Sequence, residues 1–210
     1  VKIQYSKPHH QRPVDLFDDL PLATEDLRTA IAPGAVLLRG LGRTDDVQML
    51  AAVESVIAEL PLRHLQTPGG HTMSIQTTRA GSMGWVSEPG GYRYATINPL
   101  TGQPWPPIPA CLMDFAIDAA AQAGYPDFVP NACLVNVYMP GAKMSLHQDK
   151  DEADYSHPVV SVSLGLPATF QFGGLRRNAP TTRIPLSHGD VVVWGGPARL
   201  AYHGVLTLKD

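Results

Sequence analysis

The sequence predicts a mostly β fold with supporting helices, organised as a double-sheet jelly roll, and three observations lead there. Beyond Pro130 the chain becomes a series of short segments alternating apolar and polar residues. Turn signals recur there about every 8–12 residues, the pattern of a sandwich or barrel. Before that point, two stretches carry apolar residues at helical spacing. Finally, 20 Pro and 19 Gly among 210 residues demand many turns and short elements.

Hydrophobic content of 44% and charged content of 17% fit a chain that buries a sizeable core and exclude global disorder. A net charge of -3 excludes nucleic-acid binding by bulk electrostatics, so any such binding has to come from a local patch. The two cysteines, Cys111 and Cys133, lie in apolar runs and read as buried thiols of a reducing compartment. No apolar run approaches the ~20 residues of a membrane span. The N-terminus lacks the apolar centre of a signal peptide. A soluble cytoplasmic protein is expected, without membrane contact or an obligate protein partner, and nothing asks for more than a monomer.

In chain order, residues 1–14 mix charge, His9, His10 and two prolines, and read as a flexible arm. Residues 15–210 are expected to form one domain. Thr24 with Glu25 and Asp26 predicts a helix running to Ala32, stopped by Pro33-Gly34. A short strand follows at 35–39. Thr44-Asp45-Asp46 opens a helix with Val47, Leu50, Val53, Ile57 and Leu60 at helical spacing, ended by Pro61. Residues 71–77 alternate, with Met73, Ile75 and Thr77 on one face. Residues 67–109 combine one or two hairpins with Trp85, Tyr92 and Tyr94 among glycines, then a proline-rich loop around Trp105. Such aromatics close a core edge or stack on a planar ligand. A second helix is predicted over 108–123, with Gly124 as its C-terminal cap. Strands follow at 133–138, 143–149, 159–164, 169–172, 183–186, 191–194 and 200–205.

The chemistry concentrates in Leu146-His147-Gln148-Asp149-Lys150-Asp151-Glu152. Side chains two apart on an extended strand share a face, so His147 and Asp149 project together if 146–149 is extended. His203 falls near the end of the strand series and could fold onto them. Two imidazoles and one carboxylate leave metal positions open, as in non-haem Fe(II) oxygenases, yet the set also suits catalytic Zn or Mn. Asp151 competes with Asp149 as ligand, and the very polar segment also reads as a surface turn. His64, His157 and His188 sit beside turn residues and read as solvated or structural.

Four stretches carry a resemblance. The first is Asn136-Val137-Tyr138-Met139-Pro140-Gly141-Ala142-Lys143-Met144-Ser145 running into the His147 segment. Next come Val160-Ser161-Val162-Ser163-Leu164-Gly165-Leu166-Pro167 and Phe170-Gln171-Phe172-Gly173-Gly174-Leu175. The last is His188-Gly189-Asp190-Val191-Val192-Val193-Trp194-Gly195-Gly196. In this order, over about residues 14–208, they resemble the AlkB family of alkylation-damage repair dioxygenases. The resemblance implies a double-stranded β-helix (jelly roll) with Fe(II), 2-oxoglutarate and O2. It implies a jelly-roll core at 132–208 and a nucleotide-recognition lid at 67–95. His147, Asp149 and His203 become iron ligands by this likeness, and Asn136, Val137 and Tyr138 the co-substrate stretch. Trp85, Tyr92, Arg93, Tyr94, Asp151 and Arg177 match positions facing the nucleic acid or damaged base, with Thr67 and Met73 in the same lid.

The implied activity is oxidative demethylation of 1-methyladenine and 3-methylcytosine in DNA, single-stranded or with the base flipped, and possibly RNA, releasing formaldehyde and succinate. The family continues past the second His into a strand whose Arg pairs with 2-oxoglutarate, whereas this sequence ends at Asp210. The sequence is therefore expected to be incomplete, with its C-terminal strand missing. The alternatives are another 2-oxoglutarate oxygenase, and a non-catalytic damaged-base-binding module. A local basic rim of Lys143, Lys150, Arg176, Arg177 and Arg183 is expected to meet the phosphates.

Overall fold

The structure, a computed structural model, describes residues 1–6 and 27–209. Its strands in chain order are β1 (Lys2–Ser6), β2 (Arg28–Ala32), β3 (Ala35–Leu38), β4 (Gln76–Gly81), β5 (Gly84–Glu88), β6 (Gly91–Ala95), β7 (Ala132–Tyr138), β8 (Met144–His147), β9 (Val159–Gly165), β10 (Ala168–Phe172), β11 (Thr182–Leu186), β12 (Val191–Trp194) and β13 (His203–Val205). Two helices, α1 (Asp46–Glu59) and α2 (Ala110–Gln122), precede the second half. No helix among the described residues is long and apolar enough to cross a membrane.

A seven-stranded sheet runs β2-β3-β12-β9-β1-β7-β4 and faces a four-stranded sheet, β11-β10-β13-β8; β5 and β6 form a separate hairpin. This is the jelly-roll arrangement the alternating second half predicts. Strand periodicity explains how one large sheet serves two cores. On β9, Val160, Val162 and Leu164 join the helix-side cluster, whereas Val159 joins the cluster between the sheets. The intervening Ser161 and Ser163 share the parity of Val159 and are buried too. On β7, Val135 and Val137 face the helices and Tyr138 the interior. The inter-sheet core is aromatic: Phe170, Phe172 and the fully buried Trp194 pack with Ile184 and Leu186.

Four expectations are corrected. The helix expected over 24–32 is strand β2 where it is described, paired with β3 around Pro33-Gly34. β-branched Thr29 and Ile31 suit that hairpin better than a helix. Its opening, Thr24 to Asp26, lies outside the described residues. The arm expected over 1–14 contains β1, which lies parallel between β7 and β9 with Ile3 buried; residues 7–14 are outside the description. The alternation Val1, Ile3, Tyr5 is the pattern of such a strand. On α1 the fully buried residues are Met49, Ala52, Val53 and Val56, with Leu50 and Ile57 partly buried against the same core, whereas Val47, expected on that face, is 78% exposed. Finally, the strand expected over 143–149 ends at His147, so Asp149 sits in the loop beyond β8. Helix α2 forms within the expected span and buries Leu112, Phe115, Ala116, Ala119 and Ala120. It ends at Gly124, whose φ of +100° is the left-handed geometry of a helix C-terminus.

Candidate active site

Strand pairing, not chain proximity, assembles the site. β13 lies antiparallel to β8 with His203 opposite His147, bringing their ring centroids to 4.3 Å. The loop after β8 then turns Asp149 back toward both. His147 Nε2 is 3.6 Å from Asp149 Oδ1, and His203 Nε2 is 3.4 Å from Oδ2. Potential ligand atoms of all three lie within 4.8 Å of one another.

The imidazoles are oriented for coordination. His147 Nδ1 lies 2.9 Å from the Ser145 carbonyl, and His203 Nδ1 lies 3.0 Å from the Ala201 carbonyl. A carbonyl only accepts, so each Nδ1 carries the proton and each Nε2 presents a lone pair. His203 Nε2 is buried without a hydrogen-bond partner. Burial, with His203 and Lys2 nearby, pushes the His147 imidazole down to about 3 and keeps it neutral. Burial works against ionisation of Asp149, but Lys2, His203 and His147 outweigh it and hold the carboxyl well below its usual range. Two imidazoles held by their Nδ1 atoms, one ionised carboxylate and an orphaned buried Nε2 fit a divalent cation.

Lys2 is the cation beside this cluster. Its ammonium lies 2.8 and 2.7 Å from the two Asp149 oxygens, with little of either side chain exposed. Across the interior face of β1 and its neighbours, Gln4 stands opposite Asn136 and Ser163. Both Gln4 Oε1 and Asn136 Nδ2 are buried without partners. Such groups are costly to leave unpaired and suit a polar ligand between the sheets.

Above the triad opens a cavity of about 630 Å³. It is lined by Thr67, Met73, Trp85, Tyr92, Tyr94, Asn136, His147, Asp149, Asp151 and Arg177, which the sequence singled out, and by Lys2 and Glu152, which it did not. His203, 2% exposed, lies outside that lining and packs against His147 and Asp149. Of the residues singled out for co-substrate and base, Val137, Tyr138 and Arg93 lie elsewhere. Val137 alternates away into the helix-side core, so its side chain cannot face a co-substrate. Tyr138 packs in the inter-sheet core, its hydroxyl 3.9 Å from Met144 Sδ. Arg93 pairs with Glu88 on the exposed rim of the hairpin.

Hairpin β5–β6 brings Trp85 opposite Tyr94, and Trp85 stacks on Tyr92 with centroids 4.8 Å apart and planes 20° from parallel. That gap is already filled, so a base must use the pair's free face. Trp85 Nε1 donates to Asp151 Oδ2 at 2.9 Å, and the Tyr94 hydroxyl donates to Glu152 Oε1 at 3.2 Å. Asp151, a rival ligand in the sequence, thus turns its carboxylate to the hairpin while Asp149 faces the imidazoles. His188 is structural: its ring bridges the Gly165 N–H and Asp46.

Sequence reading missed Lys2, Glu152 and Arg199. The alternation in β1 marked Lys2 as an inward residue once Ile3 was counted as core. Arg199 carried a weaker signal, a lone charge in an otherwise apolar and small-residue run.

A jelly roll with two histidines and an aspartate converging between its sheets defines a class, the metal-dependent oxygenases of this fold. The model of the 2OG-Fe(II) oxygenase superfamily matches residues 34–210. "Alpha-ketoglutarate-dependent dioxygenase AlkB" of Escherichia coli is 51% identical over 196 residues, covering 93% of this chain and 89% of that protein. "DNA N(6)-methyladenine demethylase ALKBH1C" of Arabidopsis thaliana is 29% identical, covering 86% of this chain and 44% of that protein. The solved structure of OsALKBH1 superposes with a TM-score of 0.73 at 30% identity, covering 87% of this chain and 88% of that one. The chain belongs to the AlkB family of 2OG-Fe(II) oxygenases.

Proposed function

We propose that this chain removes methyl groups from the ring nitrogens of nucleic-acid bases, 1-methyladenine and 3-methylcytosine foremost. The observation that carries the reading is the placement of the Trp85–Tyr92 stack and Asp151 over the same cavity as the His147–Asp149–His203 cluster. Bases methylated at these positions are cationic and planar. An aromatic face attracts such a ring, and a carboxylate beside it adds charge attraction that strengthens where water is excluded. The kinship with a protein named DNA N(6)-methyladenine demethylase supports methylated nucleic-acid bases as the wider class of substrate. Unpaired thiols at Cys111 and Cys133 suit a reducing compartment such as the cytoplasm.

In this reading His147 Nε2, Asp149 and His203 Nε2 would hold Fe(II), and the unpaired Asn136 Nδ2 would donate to 2-oxoglutarate. When bound, this pair with O2 supplies oxidation of the N-methyl group to a hydroxymethyl group lost as formaldehyde, with succinate as co-product. The residues of the chain do the rest. Ser145 and Ala201 carbonyls lock the imidazole tautomers. Lys2 keeps Asp149 ionised. Trp85 receives the base, which must be flipped from a duplex or presented on a single strand. Lys143, Lys150 and Arg177, which line the cavity, meet the phosphates on either side.

The test is incubation with Fe(II), 2-oxoglutarate and an oligonucleotide carrying 1-methyladenine, read by oligonucleotide mass. Loss of the methyl group is expected. An unchanged mass, with succinate still produced from 2-oxoglutarate, would assign the site to a different substrate.

A further inference from the structure

We propose that Arg199 is a positioning residue that holds the metal-ligand turn and the recognition hairpin in one register. Arg199 follows the short 3-10 turn Gly196–Ala198 and is 5% exposed, so its guanidinium spends its donors inside the protein. Nη1 donates to the carbonyl of Asp149 at 2.8 Å, and Nε donates to the carbonyl of His157 at 2.9 Å. Nη2 lies 3.4 Å from Glu152 Oε2, and the guanidinium sits 5.6 Å from the Tyr155 ring centroid.

Those contacts span one segment. Residues 148–158 connect β8 to β9 without regular structure of their own. Arg199 grips the segment near its start, in its middle and near its end. Next to it, Gln148 Nε2 donates to the Leu200 carbonyl at 2.6 Å, so the turn docks on residues 199–200 twice. Asp149 therefore owes its place to Arg199 through its own carbonyl, while its carboxylate faces the two imidazoles.

The same guanidinium reaches the hairpin through Glu152. Glu152 Oε1 accepts from the Tyr94 hydroxyl, and Tyr94 stands opposite Trp85, which is tied in turn to Asp151. The hairpin thus rests on residues 151 and 152, the turn that Arg199 fixes. Arginine suits this place because its rigid fork serves several acceptors at once; a lysine ammonium could not reach the carbonyls at both ends of the segment. This inference rests on the functional reading above for the substrate side, but its metal side stands alone.

The test compares wild type with R199K, E152Q and Y94F by two measurements. The first is Mn(II) affinity by calorimetry, which needs neither co-substrate nor nucleic acid. R199K is expected to bind Mn(II) about 10–100-fold more weakly, the usual effect of losing a partner that orients a ligand. Y94F is expected to keep wild-type Mn(II) affinity. The second is the ratio of 2-oxoglutarate consumed to methyl groups removed. It is expected to rise in R199K, E152Q and Y94F, because a loosened hairpin no longer holds the base in register with the metal. Folded R199K with wild-type Mn(II) affinity and wild-type ratio would overturn the proposal and leave Arg199 as packing. Should R199K fail to fold, E152Q decides: an unchanged ratio there overturns the link. If wild type removes no methyl group at all, the functional reading fails, and the Mn(II) comparison still judges the grip of Arg199 on Asp149.

Discussion

In the proposed metal site, each of the three side chains is set by a partner elsewhere. His147 and His203 receive their tautomers from carbonyls two residues back in the chain, and Asp149 remains ionised beside Lys2. Replacing His147, Asp149 or His203 with Ala is expected to weaken Mn(II) binding by more than about 100-fold, beyond what loss of an outer partner costs. Calorimetry on each variant checks this, and a variant that still binds normally drops out of the ligand set. The neutral state of His147 also makes the metal-free protein acid-sensitive. An unfolded histidine takes a proton near 6.5, whereas burial lowers the folded one to about 3. Between these values the unfolded chain binds more protons, so stability rises with pH and is lost on acidification from 6.5. Thermal melts of the metal-free protein at pH 7 and 4.5 should show a drop that shrinks in H147N. Asp151 has two jobs, accepting from Trp85 and presenting charge. D151N keeps an acceptor for the indole and removes the charge. It is expected to lower kcat/KM for 1-methyladenine roughly tenfold, the factor from about 1.4 kcal/mol of lost attraction. A neutral methylated base should be much less affected; equal losses on both would make Asp151 a support for Trp85 alone.

At the scale of elements, the hairpin depends on a close approach that only glycine permits. A Cβ at Gly84 would stand 2.3 Å from the Trp105 ring, which is fixed by its indole N–H donating to the Ala95 carbonyl at 2.6 Å. G84A is therefore expected to push Trp85 and β6 out of place, cost about 1–3 kcal/mol in thermal or urea unfolding, and raise KM for substrate. An unchanged melt would mean that Trp105 yields freely. This dependence also marks what could be seen in the sequence. The alternating β7, β9 and β12 and the periodic α2 were legible because one buried face repeats along each. The segment His147 to Asp149 was legible because two ligand types lay close together in a strand series. Strand β2 was misread because a capping pattern at Thr24 outweighed two β-branched residues. Strand β1 was missed because its polar inner face, Lys2 and Gln4, resembles a solvated arm until the partners on β7 and β9 are known. Arg199 carried only the weak signal of a lone charge in an apolar run, because its meaning lies in carbonyls 42 and 50 residues away.

For the whole molecule, charge and site pull in opposite directions. The chain carries a net charge of -3, which repels a polyanion at long range. Of the five basic residues that the sequence offers as a rim, Lys143, Lys150 and Arg177 line the cavity, whereas Arg176 and Arg183 are exposed away from its lining. If the proposed function holds, binding is expected to come from a local patch on an acidic body, and its salt dependence should count the few cations that touch phosphate. On single-stranded oligonucleotide, each phosphate contact contributes a slope of about -0.7 in log K against log salt. K143A, K150A and R177A should each weaken binding similarly for methylated and unmethylated strands and make the slope shallower by about that amount. R176A and R183A should leave the slope unchanged. Fluorescence anisotropy across a salt series measures both quantities. A full wild-type slope in the K143A/K150A/R177A triple variant would remove these residues from the phosphate path and place the nucleic acid on another face.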